Sequence, residues 1–146
     1  HSESAHYEAG QEAVIADLPF GKLGMTVCYD VRFPALFRSL AMHGADFISV
    51  PAAFTKMTGE AHWHVLLRAR AIETGCFIFA PAQAGTHENG RKTYGHSIIV
   101  SPWGRVLADA GLEKQIIYAD IDTEQVLMAR RQIPALGHAR HFEPPA

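Results

Sequence analysis

The sequence lacks the features that mark several common classes of protein. It has two cysteines among 146 residues, and it contains neither a CxxC pair nor an HExxH segment. This argues against a disulfide-stapled scaffold, a thiol redox centre and a zinc site with local ligand spacing. The formal charge is −2, so no positive excess favours nucleic acid or an anionic membrane as a partner. No apolar run approaches the roughly 20 residues that span a bilayer.

What is present is the composition of a globular protein. Apolar residues make up 48% of the chain and charged residues 19%, and a chain of this length can bury a core without disulfides or metals. Nothing in the sequence predicts a metal ion or another cofactor. Cys28 and Cys76 both lie in apolar, strand-like runs. Reduced thiols are stable there, which favours a cytoplasmic location.

Strand-like and helix-like segments alternate along the chain. Hydrophobic periodicity and turn residues predict strands over 14–18, 23–28, 46–50, 76–82 and 96–101, and helices over 34–43, 61–74 and about 123–131. Segments 105–108 and 116–121 are predicted to pair around Gly111. Within the second helix, Val65, Ala69 and Ile72 are predicted to form the apolar stripe.

This order predicts an α/β chain with a mixed sheet, whose first strands are parallel and joined by helical crossovers. Two crossover helices cannot cover both faces of a sheet of about six strands, and an α/β sheet is normally covered on both. We therefore expect further layers from a segment upstream of His1, from another subunit, or from both.

Cys28 is the first candidate for chemistry. It ends an apolar strand, and a helix is predicted to begin about six residues later, at Pro34. A strand-turn-helix of this kind can present a nucleophile, and the N–H groups that follow it can bind a developing oxyanion. The alternative is that Cys28 is a small buried apolar residue, as most cysteines are. From the residues alone, both interpretations stay open.

Five segments, in order, widen the comparison to most of the chain. They are Gly24–Pro34, Thr58–Trp63, Leu67–Glu73, Tyr94–Ser97 and Pro102–Gly104. Together they resemble the nitrilase superfamily of carbon–nitrogen hydrolases, in its Nit branch. The resemblance implies half of a four-layer αββα sandwich, with a mixed sheet and helices on one face. It also implies that residues 1–146 are the C-terminal part of a single domain, and that the protein is a homodimer.

The resemblance assigns roles to three residues. Cys28 matches the family's nucleophile, and Tyr29 matches the residue whose backbone N–H helps to bind the oxyanion. Glu3, 25 residues before Cys28, matches the second of the family's two glutamates, although as a residue it is simply a charge near a chain end. The family's lysine and first glutamate lie further upstream. The implied reaction is amide hydrolysis through a cysteine thioester, without a metal.

Three further residues are predicted to bind the substrate. Phe54 and Thr58 follow the strand next to the nucleophile strand, and loops at strand ends are where α/β sheets bind ligands. Arg91 is predicted to hold a substrate carboxylate. Arg32 is less suited to that task, because we expect it to form a local ion pair with Asp30.

The substrate class is also read from the resemblance. Segments 67–73 and 82–87 are more similar to the branch that acts on deaminated glutathione than to the ω-amidases. Two alternatives stay open: an ω-amidase acting on 2-oxo acid amides, and a non-catalytic binding module that has kept the fold.

Overall fold

The computed structural model describes residues 6–146. The strands in this part of the chain are β1 (Val14–Leu18), β2 (Gly21–Met25), β3 (Phe47–Ser49), β4 (Phe77–Ala80), β5 (Ala84–Thr86), β6 (Lys92–Tyr94), β7 (Ile98–Val100) and β8 (Val106–Asp109). The α-helices are α1 (Pro34–Met42), α2 (Lys56–Thr58), α3 (His64–Thr74) and α4 (Glu124–Gln132). A 3₁₀ turn spans Cys28–Arg32, and a π-helical turn spans Gly59–Trp63. Within residues 6–146, no helix is long and apolar enough to cross a membrane.

Six strands form one mixed sheet in the order β1-β2-β3-β4-β7-β8. The central strands β2, β3 and β4 are parallel, and the remaining pairs are antiparallel. Strands β5 and β6 form a separate hairpin. Since α1 connects β2 to β3 and α3 connects β3 to β4, the predicted α/β chain with helical crossovers is confirmed.

One face of the sheet packs against α1 and α3. Gly24, Ile48 and Ile78 lie side by side in register on β2, β3 and β4, and they face these helices. A Cβ atom added to Gly24 would lie 3.0 Å from the Leu40 Cδ1 atom, so glycine allows α1 to approach the sheet closely. Leu67 of α3 is fully buried in the same core. Each large apolar side chain buried in this way contributes about 1.5–3 kcal/mol to stability.

The apolar stripe predicted for the second helix is wrong. Val65 is 65% exposed and Ile72 is 56% exposed, while α3 buries Leu67, Arg70, Ala71 and Thr74. Two of these buried residues are polar, and both have partners within the protein. The Arg70 Nε donates to the Val31 carbonyl at 2.9 Å, and the Thr74 hydroxyl donates to the Arg70 carbonyl at 2.7 Å. Because a satisfied polar group can be buried, the buried face does not show up as an apolar pattern.

The opposite face of the sheet is only partly covered by the described residues. Phe47 and Phe77 pack there with Val126 of α4, and all three are fully buried. Towards the end of the sheet where Cys28 follows β2, Met25 is 50% exposed, as is Val14 at 51%. The further layer expected from the sequence stays a prediction, and this exposed region is the surface it would cover.

The pairing predicted for segments 105–108 and 116–121 is also wrong. Strand β8 instead pairs antiparallel with β7, with Ile98 opposite Asp109, and within residues 6–146 no strand forms over 116–121. The reason is the turn at 102–104, where the Gly104 N–H donates to the Ser101 carbonyl at 2.8 Å. That turn makes β7 and β8 a hairpin before the chain reaches Gly111.

Candidate active site

Cys28 lies on a tight turn just beyond β2. After Met25 the chain stays beside β3, because the Thr26 N–H donates to the Ser49 carbonyl at 3.1 Å and the Cys28 N–H donates to the Pro51 carbonyl at 2.8 Å. The backbone then turns sharply, and Cys28 has a φ of +46°. Few residues other than glycine adopt this left-handed conformation, and it concentrates at functional sites, including the nucleophile turns of α/β hydrolases.

The turn is held from inside by Asp30. Its Oδ2 atom accepts a hydrogen bond from the Val27 N–H at 2.9 Å, and its own N–H donates to the Val27 carbonyl at 2.9 Å. The prediction of an ion pair between Asp30 and Arg32 is wrong, because these two described residues form no ion pair with each other. The carboxylate is taken up by the backbone N–H three residues earlier, which the turn brings within reach.

Arg32 instead links the Cys28 turn to the loop after β3. Its guanidinium lies over the rings of Tyr29 and Phe54, with Cζ 5.7 Å and 5.3 Å from the two ring centroids. One guanidinium nitrogen is 3.2 Å from the Nδ1 atom of His62. Cation–π contacts of this kind contribute about 0.5–1 kcal/mol when exposed. Arg32 therefore lies beside the Cys28 turn, with its guanidinium already placed over two rings.

Arg70 supports the turn from the core. Its side chain is nearly buried, its Nε donates to the Val31 carbonyl, and its Nη1 is 3.1 Å from both carboxylate oxygens of Glu73. Val31 itself is fully buried. The polypeptide that follows Cys28 is thus fixed on its inner side, while Cys28 remains half-buried.

The structure places the other predicted site residues in different surroundings. Tyr29 is 63% exposed, with its ring edge-on to Phe33 at 5.6 Å, so nothing in its side-chain contacts conflicts with a role for its backbone N–H.

Phe54 is buried against Trp63 at a centroid distance of 4.8 Å, and Arg32 connects it to the Cys28 turn. Thr58 is the last residue of α2, just before the π-helical turn, and its hydroxyl is 2.7 Å from that of Thr55. Glu3 lies outside the described residues.

Arg91 reaches the same loop from the β5–β6 hairpin. Its Nη2 atom donates to the Ala53 carbonyl at 2.7 Å, next to Phe54, and its backbone N–H donates to the Asn89 side chain at 3.0 Å. The residue is exposed. A guanidinium has five N–H donors in a fixed fork, so this single contact leaves donors that can face a ligand.

Three side chains from distant parts of the sequence form a second cluster. The Asp109 carboxylate lies between two histidines, 2.8 Å from His64 Nε2 and 2.9 Å from His96 Nδ1. Partial burial would raise the pKa of Asp109, but hydrogen bonds from His64, from the Gly111 N–H and from His96 outweigh it, and the pKa lies below its ordinary value. Because the three residues are far apart in the sequence, no spacing motif could indicate the cluster.

Five well-formed surface clefts within residues 6–146 lie away from the Cys28 turn. The most enclosed of the five is lined by residues such as Ile72, Trp103, Arg130 and Leu136, between α3 and α4. None of five well-formed clefts within residues 6–146 is lined by Cys28. The chemistry of Cys28 is a better guide to function than concavity here, because the cleft between α3 and α4 carries no candidate nucleophile.

An α/β sheet with a cysteine on a strained strand-to-helix turn defines a class of hydrolase-like proteins. Comparison with known sequences identifies the family within this class. The family profile described as Carbon-nitrogen hydrolase matches residues 1–131. The deaminated glutathione amidase of Yersinia enterocolitica is 49% identical over 140 residues, covering 96% of this chain and 49% of that protein. The chain belongs to the carbon–nitrogen hydrolase family of the nitrilase superfamily, and it spans about half the length of this relative.

Solved structures agree on the fold. The NitFhit protein of Caenorhabditis elegans superposes with a TM-score of 0.91 at 45% identity, covering 94% of this chain and 34% of that one. A mutant amidase from Nesterenkonia sp. AN1, with acrylamide added at its active-site cysteine, gives a TM-score of 0.73 at 28% identity, covering 90% and 51%. The predicted nitrilase-like α/β fold is confirmed.

Proposed function

We propose that this chain contributes the cysteine nucleophile of an amidase, and that Cys28 is that nucleophile. The observation that carries the proposal is the strained φ of Cys28 on a turn fixed by Pro51 and Asp30. Backbone strain persists only where the surroundings hold it, and nucleophile turns are a common reason. The Nesterenkonia relative, in which acrylamide has reacted with the active-site cysteine, supports the assignment.

The proposed reaction has two halves. The Cys28 sulfur attacks the amide carbonyl, a C–S bond forms, and the carbonyl electron pair moves onto oxygen. Collapse of this tetrahedral intermediate breaks the C–N bond, and the amine leaves with a proton from the general acid, so a thioester remains. Water then attacks the thioester, which releases the carboxylic acid and restores the thiol. The Tyr29 backbone N–H is proposed to donate a hydrogen bond to the oxyanion in both halves.

The other catalytic groups come from the family resemblance. A thiol needs a base to remove its proton, and the oxyanion needs a cation. The resemblance places a glutamate and a lysine for these tasks upstream of this chain. Glu3 is proposed to position that lysine. Cys28 lines none of five well-formed clefts within residues 6–146, and we further propose that the upstream segment implied by the resemblance supplies the remaining walls of the substrate pocket.

The substrate is proposed to be a small amide that carries a carboxylate, with deaminated glutathione as the leading candidate. Arg91 would hold the carboxylate through the donors that Ala53 does not use, and Phe54 and Thr58 would line the pocket beside it. The relative from Yersinia enterocolitica, named for its action on deaminated glutathione, supports this choice. The alternatives are a 2-oxo acid amide, the ω-amidase substrate, and a fold that binds without catalysis.

The test uses the full-length protein and compares hydrolysis of deaminated glutathione with that of a 2-oxo acid amide. We expect faster hydrolysis of deaminated glutathione and complete loss of activity in Cys28→Ala, with the fold checked by circular dichroism. Cys76→Ala is the matched control and should keep its activity. Activity that survives in Cys28→Ala would refute the nucleophile assignment. A folded wild-type protein that binds either amide without hydrolysing it would favour the binding module.

A further inference from the structure

The cluster of His64, His96 and Asp109 contains no residue of the Cys28 turn. Its ligand-type atoms all lie within 4.8 Å of one another. The cluster joins three elements, because His64 begins α3, His96 precedes β7 and Asp109 ends β8. We propose that these three side chains form a binding site for a divalent transition-metal ion, and that the ion is Zn²⁺.

The distances suit such an ion. Zinc binds histidine nitrogen at about 2.0–2.1 Å and carboxylate oxygen at about 2.0–2.2 Å, so tetrahedral ligand atoms stand roughly 3.3 Å apart. The nitrogen-to-oxygen distances here are 2.8 Å for His64 and 2.9 Å for His96. To hold an ion, these two distances must each lengthen by roughly 0.5 Å, and the two histidine nitrogens, which lie within 4.8 Å of each other, must take up the same spacing. Two imidazoles and one carboxylate are also a ligand set that zinc favours.

His96 is fixed from several directions. Its N–H donates to the Gly111 carbonyl at 2.8 Å, and its carbonyl accepts from the Trp63 Nε1–H at 2.8 Å. It holds a φ of +57°, and its ring stacks on Tyr94 at a centroid distance of 4.3 Å. A histidine held in a rare backbone conformation by this many contacts has its ring orientation set in advance, as metal ligands require.

The other two ligands also have supporting contacts. The Gly111 N–H donates to Asp109 Oδ1 at 2.8 Å, which fixes the carboxylate. The Tyr94 hydroxyl lies 3.5 Å from His64 Nδ1, the ring nitrogen that does not face Asp109. In metal sites this outer nitrogen has its own partner, which sets the tautomer and leaves Nε2 free to bind the ion.

The three side chains of the cluster are partly exposed to solvent. The side chains of His64, His96 and Asp109 are 31%, 23% and 31% exposed. An ion can enter from solvent, and a water molecule can complete a four-coordinate shell. Because the ligands come from separate elements, an ion bound there would select the folded state and raise the melting temperature.

The experiment titrates Zn²⁺, and separately Co²⁺, into the full-length protein after treatment with a chelator. Every variant is made in a Cys28→Ala background, because the reactive thiol is itself a zinc ligand. We expect one ion per chain by calorimetry, and for Co²⁺ the visible absorption of a tetrahedral site. His64→Ala, His96→Ala and Asp109→Asn should each weaken binding tenfold or more. His138→Asn, which changes an exposed histidine outside the cluster, should bind Zn²⁺ as tightly as the parent protein, which carries Cys28→Ala alone.

Thermal melts separate a metal site from a hydrogen-bonded clamp. Zn²⁺ should raise the melting temperature of the parent, and this rise should vanish in the three ligand variants. If His96→Ala does not fold, His64→Gln serves in its place, because it removes a ligand at the helix surface. Parent protein that binds no Zn²⁺, or ligand variants that bind it as tightly as the parent, would overturn the proposal. The proposal would also be overturned if the ligand variants melt at a lower temperature than the parent without metal, but Zn²⁺ leaves the melting temperature of the parent unchanged. The three side chains would then stabilise the fold through their hydrogen bonds alone.

Discussion

The Asp30 carboxylate closes the Cys28 turn onto Val27, with its Oδ2 atom 2.9 Å from the Val27 nitrogen. Cys28 lies between these two residues and carries the strained backbone. The hydrogen bond therefore fixes the backbone that carries the thiol, and we expect Asp30 to act as a positioning residue for the proposed nucleophile.

Removing this contact should slow the reaction more than it weakens binding. We expect Asp30→Ala to lower kcat by 10- to 100-fold, which corresponds to about 1.4–2.7 kcal/mol of activation free energy, with little change in KM. Asp30→Asn keeps an oxygen that can accept from the Val27 N–H and should retain most of the activity. Steady-state kinetics of the full-length protein measure both. Equal losses in the two variants would mean that the negative charge matters more than the hydrogen bond.

Arg91 is predicted to separate charged from neutral substrates. Arg91→Ala should raise KM for deaminated glutathione by roughly tenfold or more, a loss of at least about 1.4 kcal/mol of binding. A neutral amide should be nearly unaffected, and Arg105→Ala, which changes another exposed arginine, provides the control. If both substrates lose equally, the contact of Arg91 with the Ala53 carbonyl positions the loop and the carboxylate is held elsewhere.

Gly59 is predicted to be essential for packing. A Cβ atom at this position would lie 2.2 Å from the Tyr94 Cβ atom, closer than any real contact, and Gly59 is buried in the π-helical turn. Gly59→Ala should lower the free energy of unfolding by about 1–3 kcal/mol, the usual cost of overpacking. Gly10→Ala is the control, because nothing lies within 4 Å of its Cβ position. Urea denaturation of the full-length protein measures both, and equal stabilities would contradict the prediction.

The tail after α4 is predicted to contact a second subunit in the homodimer that the family resemblance implies. Phe142 is 80% exposed, whereas Leu136 is partly buried and its carbonyl accepts from Arg38 at 3.2 Å. Deleting 139–146 should therefore weaken the dimer without disturbing this internal contact, and deleting 133–146 should weaken it too. Light scattering against concentration measures the effect. A dimer unchanged by both deletions would exclude a role for the tail.

Local signals in the sequence predicted much of the fold. Pro34 begins α1 as expected, and Gly75 ends α3 with a φ of +65°, the left-handed conformation that glycine favours. The two failures have different causes. The partner of β8 is decided by the local turn at 102–104, which makes a hairpin with the preceding strand. The buried face of α3 includes Arg70 because the Val31 carbonyl, distant in the sequence, lies within its reach.

The candidate site divides in the same way. Cys28 could be found from the sequence because the strand, the turn and the helix that present it are contiguous. The cluster of His64, His96 and Asp109 could not, because it forms only when the β7–β8 hairpin folds against α3. The prediction of an ion pair between Asp30 and Arg32 was wrong because closeness in the sequence does not show which group the carboxylate meets. In the structure it accepts a hydrogen bond from the backbone N–H of Val27.

The most direct test of the account is the order in which the two thiols react with iodoacetamide, followed by peptide mass spectrometry. Burial raises the pKa of the Cys76 thiol, and that residue is fully buried, so little reactive thiolate is available there at neutral pH. Cys28 should be alkylated first in the full-length protein, activity should fall in step with its modification, and the amide substrate should slow both. Alkylation of Cys76 ahead of Cys28, or activity that survives full modification of Cys28, would contradict the assignment of Cys28 as the nucleophile.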